Sequence, residues 1–128
     1  MGVLKRLDAV LLQVEQADGY QRRDAVVPGA TPTRALKPNA DGMLDLFLEA
    51  IDRLVALGVD GISTSCGFLS VLHRDLVAYS PVPVATSALL QVPLVQNILP
   101  KGKRVGIITA DKASLTAAHL AAVGCPPD

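Results

Sequence analysis

The residues best suited to chemistry in this sequence are a thiol among hydroxyls, Thr64-Ser65-Cys66-Gly67. They follow Val59-Asp60-Gly61-Ile62-Ser63, which reads as a short strand, and precede an apolar helical pattern that opens at Phe68. A thiol between a strand and a helix start meets free backbone N–H groups and the positive end of the helix dipole. Both favour the thiolate, the form that attacks carbon or carries a proton. Gly67 lets a ligand approach the backbone closely. The alternative is a structural thiol, because free cysteine is among the most buried residue types. Position alone leaves both readings open.

Two further sets of small polar residues end apolar runs: Thr86-Ser87 after Val82-Pro83-Val84-Ala85, and Thr109-Ala110-Asp111 after Arg104-Val105-Gly106-Ile107-Ile108. In an open α/β sheet, ligands bind beyond the carboxyl ends of the strands, where helix N-termini offer unsatisfied N–H groups. The expected ligand is therefore small and anionic, a carboxylate or phosphate. Cys125, beside Gly124 and Pro126, ends no strand and reads as incidental. His73, between Leu72 and Arg74, is expected to face solvent. His119 lies on the apolar side of its helix and reads as a satisfied, half-buried residue rather than a ligand. The carboxylates Asp45, Glu49 and Asp52 fall on the polar face of a helix and read as solvated surface.

The elements that must position these residues follow from periodicity. Leu44, Phe47, Leu48, Ile51, Leu54 and Val55 recur at helical spacing. Asn39 or Asp41 could cap that helix, and Gly58 suits its left-handed end. Helices are also expected over Phe68–Tyr79, Leu89–Leu99 with Pro93 in its first turn, and Leu115–Val123. Strands are expected at Val59–Thr64, Val82–Thr86 and Arg104–Thr109, the last being the clearest because it is nearly continuous in β-branched residues. Near the start, Val3, Leu7, Val10, Leu11 and Val14 have helical spacing, Asp18-Gly19 marks a turn, and Val26-Val27 is extended. Residues 1–25 are the least patterned. Alternating strands and helices predict an α/β fold: an open doubly wound parallel sheet of about four strands with helices on both faces.

Composition narrows the function. The chain has 128 residues, the size of one domain, and 50% of them are hydrophobic, which excludes a disordered polar chain. Twelve basic and twelve acidic side chains cancel, and aromatics make up 3%, so neither phosphate neutralisation nor base stacking supports a nucleic-acid partner. Two cysteines with no CxxC pair support neither a disulfide framework nor a metal site. Leu76–Pro100 runs 25 residues without a charge, but its four prolines and its Ser, Thr, Gln and Asn residues suit a buried strand and helix, not a membrane span. No secretory signal is read at Met1–Leu7, so a soluble, cytoplasmic protein is expected. GxGxxG, GxxxxGK[ST] and GxSxG are all absent, which removes sequence support for dinucleotide, P-loop and hydrolase readings.

Gly58-Val59-Asp60-Gly61-Ile62-Ser63-Thr64-Ser65-Cys66-Gly67-Phe68 resembles the aspartate/glutamate racemase family, a superfamily that includes hydantoin racemases. The resemblance continues through Val82–Ser87, Leu89–Val95, Arg104–Ala110, Ser114–Thr116 and His119-Leu120, and spans most of Val26–Gly124. It implies a cofactor-independent isomerase of two similar α/β domains, with this chain corresponding to the first. In such an enzyme one cysteine removes the α-proton of an amino acid and a facing cysteine returns a proton to the other side, since inversion needs an acid and a base on opposite faces of one carbon. Carried over by position, Cys66 matches the first-domain cysteine. Ser65, Gly67, Ser87 and Thr109 match the small neighbours that would hold the substrate carboxylate and amine. Cys125 lies in no matching motif, and the stretch from Ala9 to about Arg23 departs from the family and reads as helix. The implied partner is a small carboxylate or amino acid. Two other readings stand beside it: a one-cysteine isomerase or decarboxylase, and a non-catalytic fragment that binds a carboxylate or associates as a homo-oligomer.

Overall fold

The computed structural model describes the backbone of residues 10–13 and all of residues 23–125. The helical spacing that includes Val3, Leu7 and Val14, and the turn expected at Asp18-Gly19, lie outside the described residues. Four short strands, β1 (Val10–Gln13), β2 (Asp24–Val26), β3 (Ile62–Thr64) and β4 (Val84–Ala85), form one sheet in the order β2-β1-β3-β4. β1 runs antiparallel to both of its neighbours, and only β3 and β4 are parallel, with Ile62 opposite Val84 and Ser63 opposite Ala85.

The doubly wound parallel sheet is therefore not what forms. One cause is Val10–Gln13, expected as helix, which is a strand between β2 and β3. The other is Arg104–Thr109, expected as the clearest strand, which joins no ladder. β4, the edge it would extend, ends after two residues, and its next carbonyl, Thr86 C=O, accepts from the Thr64 hydroxyl at 2.6 Å. Residues 103–105 are instead held by a side chain: Gln96 Nε2 donates to Lys103 C=O at 2.9 Å and Gln96 Oε1 accepts from Val105 N–H at 3.0 Å. Ile108 is left fully exposed. β-branched residues favour a strand only where a pleated, half-buried surface receives them.

The helices follow their periodicity more closely. Helix α1 is the short Pro32–Ala35. Helix α2 (Leu44–Ala56) buries Phe47, Ala50, Ile51 and Leu54, which are three and four residues apart. It ends at Gly58, whose φ of +77° is the left-handed conformation expected there. Neither Asn39 nor Asp41 caps α2. Met43 precedes it without a side-chain bond, and Asn39, Ala40 and Asp41 all take positive φ. Asp41 instead bonds the Arg34 guanidinium at 3.1 Å, and Arg34 also donates to Gly29 C=O at 2.8 Å, which ties α1 to its flanking loops. The pattern over Phe68–Tyr79 divides into a 3₁₀ turn, Gly67–Leu72, and helix α3 (His73–Tyr79).

Helix α4 (Gln91–Ile98) carries Pro93 in its first turn, and helix α5 is Ala117–Ala122. Phe47, Met43, Ile51, Leu54, Leu69 and Leu76 are fully buried at the centre of the main core. A smaller cluster joins Leu89, Val123 and Cys125. Residues Leu76–Pro100 are divided among α3, β4, a 3₁₀ turn and α4. No helix among the described residues is long and apolar enough to cross a membrane.

Candidate functional site

Beyond the carboxyl ends of the parallel pair β3 and β4 opens a cleft of about 440 Å³. Three segments converge on it: Ser65-Cys66-Gly67-Phe68 after β3, Ser87-Ala88-Leu89 after β4, and Ile107-Ile108-Thr109-Ala110-Asp111. Helix α1, anchored by Arg34, contributes a further wall through Pro32 and Ala35. All five residues singled out in the sequence, Cys66, Ser65, Gly67, Ser87 and Thr109, line this one cleft. The third segment reaches it without being a strand. The cleft still lies beyond the carboxyl ends of the one parallel pair that forms.

Cys66 is half-buried and terminates the extended chain with φ −121° and ψ 109°. Its carbonyl accepts from Leu69 N–H at 3.1 Å and from the Thr64 hydroxyl at 3.3 Å, and these bonds fix the turn that presents the thiol. The sequence suggests an α-helix start here, but the structure has a six-residue 3₁₀ turn, and the Cys66 side chain makes no cap bond. A Cβ on Gly67 would stand 3.4 Å from Ser87 Oγ, so the absence of a side chain lets the two turns close together. Ser87 Oγ accepts from Leu89 N–H at 3.1 Å, leaving the hydroxyl proton to point elsewhere.

Thr86, the residue before the cleft-lining Ser87, belongs to a polar pair that sequence reasoning missed. His73, expected to face solvent, is instead half-buried. Its Nδ1 lies 2.9 Å from Oγ1 of the fully buried Thr86, and burial, followed by the neighbouring Arg74 charge, lowers its pKa from the ordinary 6.5. His119 is more buried than expected, at 3% exposure. Its Nδ1 accepts from Thr116 N–H at 3.1 Å, and its ring meets Phe68 edge-on with centroids 5.5 Å apart. Its Nε2 has no partner, so the residue is only partly satisfied. Cys125 lies outside the cleft, and burial raises its thiol pKa.

The sequence placed Asp111 at a run end without giving it a role. Among the described residues lining the cleft it is the one charged side chain. Its carboxylate accepts from the Ser114 hydroxyl at 2.6 Å and from Ala113 N–H at 2.9 Å. These two bonds, the hydroxyl's first, hold its pKa below the ordinary carboxylate value. The available signal was Asp followed three residues later by Ser, a spacing that suits side-chain turns. Among the described residues, no group of three or more His, Cys, Asp or Glu side chains stands close enough to hold a metal ion.

No family model, curated protein or solved structure matches the chain.

Proposed function

We propose that this cleft binds a small amino acid and that Cys66 removes its α-proton, the cofactor-independent chemistry of the aspartate/glutamate racemase family that the sequence resembles. One observation carries the proposal: a half-buried thiol and the hydroxyl-bearing residues Ser65, Ser87 and Thr109, from three separate segments, line a single cleft. An α-proton is weakly acidic, and its removal builds negative charge on the adjacent carboxylate. Hydroxyl and backbone N–H donors around that carboxylate lower the barrier. The thiolate takes the proton and the thiol can return it, so protons balance with no redox partner.

The test is α-proton exchange in deuterated buffer, followed by proton NMR over a panel of L- and D-amino acids, with chiral chromatography of the product. Cys66→Ser is expected to slow exchange by at least ~100-fold, the usual worth of a positioned acid–base group. Undiminished exchange in that variant removes the thiol from the mechanism. Cys125 is not among the described residues lining the cleft, which favours a second reading in which one thiol serves a single face of the substrate. Exchange with retained configuration, or a decarboxylated product, identifies that chemistry. Self-association is favoured by the exposed apolar residues Leu94, Ile98 and Ile108, and sedimentation across a concentration series reads it.

A further inference from the structure

The charge and walls of the cleft point to a narrower ligand. We infer that the cleft selects a neutral α-amino acid with an aliphatic or aromatic side chain, its ammonium held by Asp111 and its side chain by the apolar walls, and that it rejects acidic amino acids. The inference rests on the amino-acid reading above and specifies the substrate class.

Asp111 contributes one negative charge, and among the described residues lining the cleft none contributes a positive one. An α-ammonium satisfies that carboxylate through charge-assisted hydrogen bonds. The α-carboxylate would lie against the small polar residues of the lining, Ser87 and Thr109 with Ser65 beside them. The remaining walls include Leu36, Phe68, Leu89, Ile107 and Leu115, which match an apolar side chain by burying it. A second carboxylate, as in aspartate or glutamate, would lie among these apolar groups with no cation to pair with and with Asp111 repelling it. The volume of about 440 Å³ falls in the usual range for small-molecule sites and accommodates a leucine- or phenylalanine-sized ligand.

The test is calorimetric titration of the full chain with L-leucine, L-aspartate and 4-methylpentanoate, which is leucine without its amino group. Leucine is expected to bind at least ~10-fold tighter than either, the usual scale of one charge-assisted hydrogen bond. Asp111→Asn is expected to weaken leucine by a similar factor and to leave 4-methylpentanoate unchanged or tighter. The comparison of ligands on the unaltered chain stands even if that variant folds poorly. Aspartate or 4-methylpentanoate binding as tightly as leucine overturns the inference, as does the absence of any leucine binding. Measuring α-proton exchange of leucine and aspartate on the parent chain beside these titrations separates the two proposals. Selective leucine binding without α-exchange in the parent chain supports the substrate class and removes the chemistry, whereas exchange of aspartate keeps the chemistry and overturns the substrate class.

Discussion

Thr64 joins the two turns that carry the thiol and Ser87. Its hydroxyl has one proton to donate, and the 2.6 Å contact to Thr86 C=O is much shorter than the 3.3 Å contact to Cys66 C=O, so the main bond spans from β3 to β4. The shared remainder steadies the Cys66 carbonyl. Thr64→Val keeps the shape and removes the donor to the carbonyl of the fully buried Thr86, at a cost of ~1–3 kcal/mol. Urea unfolding is expected to show that loss. The second-order rate of α-exchange should fall with it, and Thr64→Ser should restore both. A variant that loses stability but exchanges at the parent rate would make Thr64 purely structural. The cleft residues were legible at this scale because small hydroxyl-bearing residues and a thiol interrupt apolar runs abruptly. His73 was not, because a titratable side chain defaults to solvent in any reading that lacks its tertiary partner, here Thr86, and Asp111 was placed at a run end without the role its local bond to Ser114 signals.

At the scale of elements, the buried face of α2 was read from the sequence and sheet pairing was not, and the difference is physical. The face of α2 is encoded locally, in residues three and four apart, and Phe47, Ala50, Ile51 and Leu54 are buried as that spacing requires. A strand is completed by a partner distant in sequence. Arg104–Thr109 has the composition of a strand and lacks that partner, while Val10–Gln13 has helical spacing and finds two. Gln96 supplies part of what a neighbouring strand would, one donor and one acceptor to the backbone at Lys103 and Val105. Gln96→Ala should therefore release this segment locally. Hydrogen exchange at the Val105 amide is expected to accelerate at least ~5-fold, the equivalent of one ordinary hydrogen bond. The midpoint of global unfolding should barely move, because both bonds are exposed. A large global loss, or unchanged protection at Val105, would show that something other than Gln96 holds the segment that carries Ile107, Thr109 and Asp111 into the cleft.

For the molecule as a whole, the two imidazoles make stability depend on acid. His119 joins α5 to the 3₁₀ turn after Cys66: Nδ1 accepts from Thr116 N–H, and the ring edge meets Phe68, a wall of the cleft. A neutral ring accepting at Nδ1 carries its proton on Nε2. A second proton would turn that acceptor into a donor facing another donor and would place a charge in a buried site. Burial lowers the His119 pKa, outweighing the opposing effect of the Thr116 bond, and it lowers that of His73 as well. The unfolded imidazoles take up protons near their ordinary value of 6.5 and the folded ones only at lower pH. Between those limits the unfolded chain binds more protons, so stability rises with pH. Their contribution is complete above about pH 6.5 and is lost as pH falls from there toward the lowered folded values. Asp111 acts in the same direction at more acidic pH, below the ordinary 3.8 of its carboxyl. Thermal melts are therefore expected to show Tm falling by several degrees from pH 7.5 to pH 5. His119→Gln, which can accept from Thr116 N–H but cannot titrate, should remove much of that slope, and adding His73→Gln should remove most of the remainder. If the double variant keeps the parent slope, the acid sensitivity belongs to other groups, and His119 does not control the packing of α5 behind the cleft.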